Sequence, residues 1–388
     1  MMFDTTTALR HIAALAFPRR TGSPGEGQAI TYIMMAFHEM GLTPEVETFQ
    51  FGPRLFSIGW RGLPLLLSLF VSVAIFLLPV SRWVSGILCC VALWGIVMSG
   101  RWQGWVERLH DRGPMQEAAN IIARLNVEGA DRDILVIAHY DAKSHTIPLG
   151  PKIALFLLNG LLVIILSMLI IWTVVRGVPI LPVRALQGLG IVACFIGSLL
   201  AYGRSGNRSP GALDNAAGVG VLLTLATHFV AHPPRRTRLT FLATGAEEEG
   251  LVGATRYIQR YQSEYDRRQT SVVNYDMPGT GKRVVIVASH GIPPIKTGRR
   301  LQGIIDQAAR KANVPVVTSS PLLGAGMDHI PIAYRGFESV GIMGEKFHRA
   351  VMRAHSPRDT VEGIDTHALG MAGSLGVAIV EEIDTTLK

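Results

Sequence analysis

Two kinds of apolar pattern alternate along the chain, one continuous and one broken into short periodic pieces. Residues 63–80, 83–99, 153–175 and 186–202 are apolar almost throughout. Each run reaches the range of roughly 17–25 residues that lets a helix cross a hydrocarbon core about 30 Å thick. The runs come as two pairs. Ser81 and Arg82 alone separate the first pair, and residues 176–185 separate the second, with Pro179 and Pro182 breaking the helix between them. The alternative is a set of buried core helices or interfacial hairpins. It fits the second pair less well, because 153–175 has no charged side chain over a length that a small domain would have to bury whole.

The broken pattern occupies the rest. Short apolar stretches at 134–138, 239–244, 272–275, 284–288 and 339–343 read as buried strands. Apolar positions at helical spacing mark 27–40, 216–231, 251–265, 298–313 and 366–385 as helices. A hairpin enters and leaves a membrane on one side, so the segments around the two hairpins share that side. The expected organisation is one split domain made from 1–60, 102–150 and 203–388, with hairpins at 63–99 and 153–202. Alternation of strands and helices predicts a three-layer α/β fold around a mostly parallel central sheet. In such sheets ligands sit beyond the carboxyl ends of the strands.

Composition agrees with a lipid-facing portion. Of 388 residues only 17% are charged, against about 25% in soluble domains, and the mean hydropathy is +0.31. Cys89, Cys90 and Cys194 all fall inside the apolar runs, where they form neither a disulfide framework nor a metal-binding pair. The net charge of +8 comes from scattered Lys and Arg that often flank those runs, which points to a membrane surface and not to nucleic acid. The amino terminus has no basic stretch leading into an apolar one, so no cleavable signal peptide is expected.

Candidate chemistry gathers at the ends of the expected strands. The first ends in His139-Tyr140-Asp141, which can present an imidazole to a metal while a carboxylate steers it. A single His there is more often a structural residue. Asp214 follows a Gly-rich turn ahead of a helix, where an ordinary N-cap is the plain alternative. Glu247 and Glu248 follow another strand. Adjacent side chains in extended backbone point apart, so one can ligate a metal while the other holds a proton. Their plain alternative is a favourable place in the first turn of a helix. Asp276 closes a further strand and His355 lies in Ala354-His355-Ser356-Pro357-Arg358-Asp359-Thr360 near the carboxyl end. Two His and several carboxylates at successive loop ends form a donor set suited to divalent zinc.

These five blocks, in this order, resemble the dinuclear-zinc aminopeptidases and related exopeptidases of metallopeptidase family twenty-eight. The likeness extends to Arg20 through Ser23, the helix near Tyr32 and Gly41-Leu42, and it covers nearly all residues outside the four runs. The resemblance implies a zinc-exopeptidase fold and two zinc ions per chain. It makes His139 and Asp276 terminal ligands of one ion, Glu248 and His355 terminal ligands of the other, and Asp214 the carboxylate between them. Asp141 then resembles the orienter of His139, and Glu247 the general base. Three carboxylates against two dications leave one positive charge, which a bridging hydroxide cancels. Two positions depart from the family pattern. Met327 stands where a Ser precedes Asp328-His329, and Ala354 stands where many secreted members carry an aromatic hydroxyl beside the last His.

The expected activity is zinc-dependent removal of N-terminal residues from peptides at a membrane. A glutaminyl cyclase-like acyltransferase is the nearest rival, since it too has a His-Tyr-Asp block followed by Lys, but Asp214-Asn215-Ala216-Ala217-Gly218 follows the peptidase pattern. A non-catalytic membrane scaffold is the other rival, and the complete set of ligands argues against it. Arg54, Arg61, Arg101, Arg108, Lys152, Arg204 and Arg208 flank the runs on the domain side, against Arg82, Arg176 and Arg184 at the hairpin tips. The positive-inside rule then favours a multi-pass protein with a cytoplasmic domain, although the resemblance implies many exported relatives.

Overall fold

A computed structural model describes residues 3–99, 103–291, 294–319 and 326–385; Arg101, one of the expected domain-side cations, lies outside them. Helices α1 (Thr5–Leu15) and α2 (Pro24–Glu39) lead into strand β1 (Glu45–Phe51). The first hairpin follows as α3 (Pro53–Leu77) and α4 (Arg82–Ser99), and α5 (Gln103–His110) returns the chain to β2 (Gln116–Leu125) and β3 (Arg132–His139). The second hairpin is α6 (Leu149–Arg176) and α7 (Val183–Tyr202). Beyond it come α8 (Ala217–Ala231), β4 (Thr237–Thr244), α9 (Val252–Tyr261), β5 (Thr270–Tyr275) and β6 (Val284–Val287). The chain ends with α10 (Arg299–Lys311), β7 (Val316–Ser319), α11 (His329–Ala333), β8 (Glu338–Gly344), α12 (Phe347–Arg353) and α13 (Thr366–Thr385).

The eight strands form one mixed sheet in the order β1-β2-β4-β3-β5-β8-β6-β7. Its centre, β4-β3-β5-β8, is parallel, while β1 against β2, β2 against β4 and β8 against β6 are antiparallel. Side chains alternate across the strands as the pleat requires. Ile134, Val136 and Ala138 of β3 join Ile12, Phe37, Val221 and Leu375 under α1, α2, α8 and α13. Leu135 and Ile137 turn to the other face, under Tyr257, Ile258 and Ile332 of α9 and α11. This gives the expected three layers.

All five expected strands and five expected helices form, with ends shifted by a few residues; 251–265 is helical only to Tyr261 before a tighter turn. Strands β1, β2 and β7 were not foreseen. Edge strand β1 buries little more than Glu47 and Phe51, and β7 is only half-buried, so neither carries the continuous apolar signature of a central strand.

The two hairpins pack into a four-helix bundle whose contacts run α3 to α7, α4 to α6 and α3 to α4. Its interior is Val71, Ala74, Ile75, Cys89, Ala92, Val163, Leu166, Ile170, Val174 and Leu186. Asn159 ties one hairpin to the other, donating from Nδ2 to Ser68 Oγ at 2.9 Å and to the Ala193 carbonyl at 2.8 Å. The outer surface keeps large apolar side chains exposed, among them Leu69, Phe76, Ile87, Trp94, Leu161, Met168 and Phe195. Length and composition alone would also admit 212–231, but 83% of that segment is buried inside the protein, against 28% for α3 and α6. It is a core helix of the sheet domain, and the exposed apolar bundle is a separate feature.

Candidate active site

Three parallel neighbours bring the first group of residues together. β3 ends at His139, opposite Thr244 at the end of β4, and Ile137 pairs with Asn274 of β5. Asp276, two residues beyond Asn274, therefore lies level with His139, two residues beyond Ile137. The loop after Thr244 carries Glu247 and Glu248 over the same edge. Distances from His139 Nε2 are 3.4 Å to Asp214 Oδ1, 3.8 Å to Glu247 Oε2 and 3.9 Å to Asp276 Oδ1. His355 Nε2 lies 2.9 Å from Asp214 Oδ2 and 3.2 Å from Glu248 Oε1.

Asp214 thus turns one oxygen toward each His. Its place is set by backbone that no helix dictates: the Asp214–Asn215 peptide is cis and both residues have non-helical dihedrals. The N-cap alternative for Asp214 fails, because α8 starts after Ala216 and the side chain that reaches its first turn is that of Asn215. Asn215 Oδ1 accepts from the Gly218 N–H at 2.9 Å and the Met277 N–H at 3.1 Å, and its Nδ2 donates to the Tyr275 carbonyl at 2.8 Å. One amide therefore fastens the start of α8 to the end of β5, holding Asp214 and Asp276 in register. A Cβ on Gly218 would come within 2.4 Å of Asn215 Oδ1, which fixes that position as glycine.

Glu247 and Glu248 are not helix-start residues either. α9 begins only at Val252, and both carboxylates are buried. Asp141 holds their loop: its carboxylate accepts from the Glu247 and Glu248 N–H groups, each at 3.2 Å, and from Thr21 Oγ at 3.2 Å. The nearer partner of His139 Nδ1 is the Asp141 carbonyl oxygen at 3.1 Å, with the carboxylate at 3.6 Å. Asp141 therefore orients His139 mainly through its backbone while its side chain fixes the glutamate loop.

The electrostatics are those of acids crowded out of water. Burial, reinforced by Glu248, Asp328 and Asp276, drives Glu247 far above the usual carboxylate range despite His139 nearby. Burial and the same carboxylate crowding push Asp276 up to about 7. His355 resists the cost of burial, and Glu248 and Asp214 raise it to about 9. Asp214 is held low, since its hydrogen bonds to both His outweigh its desolvation. Such a cluster calls for positive charge at its centre.

Two groups of donors converge there, His139 with Glu247 and Asp276, and Asp214 with Glu248 and His355, the donor atoms of each lying within 4.8 Å of one another. Among the described residues, the buried Asp276 Oδ1 has no hydrogen-bond partner. Nitrogen and carboxylate donors in a closed, desolvated arrangement fit a pair of divalent ions of the zinc class. Asp214 Oδ1 lies nearer to His139 Nε2 than Glu247 Oε2 does, at 3.4 against 3.8 Å.

All seven residues singled out in the sequence meet here. Three supporting residues were not singled out. Asp359 accepts from the Leu213 and Asp214 N–H groups at 2.8 and 3.1 Å. Fully buried Arg19 donates to the carbonyls of Tyr140, Leu15, Phe17, Pro210 and Gly211, clamping the turn before Asp214 to the end of β3. Lys143 Nζ lies 3.4 Å from Glu248 Oε2 and donates to its carbonyl. Position in the last block was the sole sequence signal for Asp359, and Arg19 had none. At the two departures, Met327 is buried in an apolar cluster beside Leu251 and Met343, and buried Ala354 offers no hydroxyl.

Comparison with known proteins places these features in a family context. Residues 191–380, just under half of the chain, match the model described as Peptidase family M28. Aminopeptidase YwaD of Bacillus subtilis is 31% identical over 178 residues, 45% of this chain and 38% of that protein. The match thus spans less than two fifths of the relative's length. Among solved structures, the zinc aminopeptidase BSAP from Bacillus subtilis superposes with a TM-score of 0.56 at 17% identity, covering 98% of this chain and 95% of that one. A glutaminyl cyclase from an Acidobacteriales bacterium does so with a TM-score of 0.57 at 16% identity, covering 99% and 96%. At these identities the superpositions speak for the fold.

Proposed function

We propose that this chain is a membrane-embedded metallo-aminopeptidase of Peptidase family M28, holding two zinc ions and removing N-terminal residues from peptides at a bilayer surface. The observation that carries the reading is Asp214, whose two oxygens face His139 and His355 separately. His139 and Asp276 would hold one ion and Glu248 and His355 the other, with Asp214 shared. Zinc, when bound, polarises the scissile carbonyl and makes water more acidic. Glu247 does the proton work: buried and left out of this ligand set, it takes a proton from the attacking water and returns it to the leaving amine. Asp141 keeps Glu247 and Glu248 in place through their N–H groups, and Asn215, Asp359 and Arg19 hold the turn that carries Asp214.

The bundle supports the membrane part of the reading. Its outward side chains are large and apolar, and at the hairpin tips Arg82 lies over Trp83 and Arg176 over Trp172 at 5.2 and 5.1 Å, pairs suited to a lipid–water interface. The balance of arginines between tips and domain favours a cytoplasmic domain. Metal analysis of detergent-purified protein, alongside a panel of aminoacyl and dipeptide substrates, tests the activity. Two zincs per chain with hydrolysis that is lost on chelation and restored by zinc are expected. One zinc, with cyclisation of N-terminal glutamine in place of hydrolysis, would replace this reading by the cyclase one, which the second superposition keeps in view.

A further inference from the structure

The first hairpin does not merely tether the domain; its foot rests on the loop that carries the two glutamates. The chain leaves the sheet at Gly52, enters α3, and comes back through α5 to His110, whose carbonyl accepts the Gly52 N–H at 2.7 Å. At this closure the His110 ring is buried between Phe56 of α3, with ring centroids 4.9 Å apart, and Phe51 of β1, at 6.1 Å. Its Nε2 lies 2.9 Å from the carbonyl oxygen of Glu249. Burial holds the imidazole at about 4, so the ring is neutral and Nε2 is the donor to that carbonyl.

Glu249 is the residue directly after Glu248, and the contact continues one step further. Gly250 has φ +113, a conformation glycine alone adopts readily. A Cβ there would come within 2.8 Å of Phe56 and 2.9 Å of His110. The loop is thus pressed against the hairpin with no room for a side chain. The return segment around His110 is also held by Arg256 of α9 to Asp111 at 2.7 Å and by Arg335 to Glu107 at 2.9 Å. From the opposite side Arg20 pairs with the Glu249 carboxylate at 3.2 Å. Asp141 fixes the loop through the amides of Glu247 and Glu248; His110 fixes it through the next carbonyl.

We propose that His110, where the first hairpin rejoins the domain, is a positioning residue that aligns Glu247 and Glu248, so that the foot of a membrane helix sets the geometry of the hydrolytic site. The proposal rests on the hydrolase reading above. Without the Nε2–H donor the loop keeps its Asp141 bonds and the Arg20 pair but loses the anchor on the Glu249 carbonyl. A misplacement of a catalytic group on the ångström scale costs roughly 10- to 100-fold in rate.

The test compares the full chain in detergent as wild type, His110→Phe, which keeps the ring stacking and removes the donor, and His110→Gln, whose amide can reach the same carbonyl. Zinc content, kcat and KM are measured for each. The expected result is a 10- to 100-fold lower kcat for the Phe variant with KM within about twofold and zinc unchanged, and recovery to within a few-fold of wild type in the Gln variant. Wild-type kcat in His110→Phe, or no recovery in a folded His110→Gln, overturns the proposal. If the Phe variant does not fold, His110→Asn, whose amide falls short of the carbonyl, takes its place: it should lose kcat relative to His110→Gln, and equality of the two overturns the proposal. An inactive wild type would instead overturn the hydrolase reading itself.

Discussion

Adjacent glutamates with different surroundings give the sharpest test of the proposed chemistry. Glu247 Oε2 lies 3.8 Å from His139 Nε2 and shares a donor group with Asp276, whereas Glu248 lies 3.2 Å from His355 and 3.4 Å from Lys143. Glu247→Gln keeps the volume and the Asp141 bond to the backbone amide and removes only the proton acceptor. Loss of a general base is worth about 10²–10⁴ in kcat, or roughly 2.7–5.5 kcal/mol of barrier. Zinc content should stay near wild type and KM should change far less than kcat. Glu248→Gln removes a charged donor from the His355 group and leaves the Lys143 ammonium without its carboxylate. Zinc should then fall toward one ion per chain, with activity partly recovered at high zinc. Stopped-time hydrolysis of an aminoacyl substrate, run beside metal analysis of both proteins, separates the roles. Near-wild-type kcat in Glu247→Gln would refute the assignment of the base, and equal zinc loss in both variants would refute the division of labour.

Asp214→Asn should lower occupancy of both zinc positions together, measured by metal analysis; loss confined to one ion would show that the carboxylate is not shared. Carbonate washing should leave the protein in the membrane pellet, and release to the supernatant would make the bundle interfacial. A single cysteine placed at Ser81, at the first hairpin tip, in a chain with Cys89, Cys90 and Cys194 replaced, should be labelled by an impermeant thiol reagent from outside intact cells; protection there, with labelling only after lysis, would reverse the cytoplasmic placement of the domain. Glu26 gives a pH-dependent prediction: burial, with Asp141 adding, pushes its carboxyl up to about 7 against the Gly22 N–H and the Tyr140 hydroxyl. A folded value above the unfolded one means the contribution is complete below about 4.5 and is lost as pH rises through about 7. Glu26→Gln should flatten the fall in unfolding midpoint across that window, which corresponds to about 2 kcal/mol after allowance for partial solvent screening; an unchanged slope would rule Glu26 out as its source.

How much of this could be read from the chain follows from the kind of signal each residue leaves. Central strands announced themselves because both faces are buried, and their carboxyl ends carried His139, Asp276 and the glutamate pair into one place by register alone. Asp214 was legible as a member of an ordered motif, but its local role was not, because Asn215 and not Asp214 holds the first turn of α8, and the distinction lies in dihedral angles. Arg19 could not be found: its five carbonyl acceptors come from segments far apart in sequence, including residues 210 and 211, and no local pattern encodes that meeting. His110 is hidden for the same reason, since its partner lies beyond a whole second hairpin. The four apolar runs gave the bundle by length and composition, yet the segment 212–231 that contains α8 passes the same criterion, and only packing against the sheet separates the two.

The place of β4 in the sheet bears on how the protein must be made. β4 lies between β2 and β3, so these two earlier strands never pair with each other, and Leu125 of β2 must wait for Leu239 to arrive. At ordinary synthesis rates the intervening stretch takes on the order of 10 s to emerge, and under the proposed membrane embedding the second hairpin enters the bilayer during that time. Throughout, β2 and β3 each present an open backbone edge, the condition under which strands find foreign partners. Any delay in inserting α6 and α7 lengthens that exposure. Yield in a cell should therefore depend on the insertion machinery even for variants whose finished fold is as stable as the wild type.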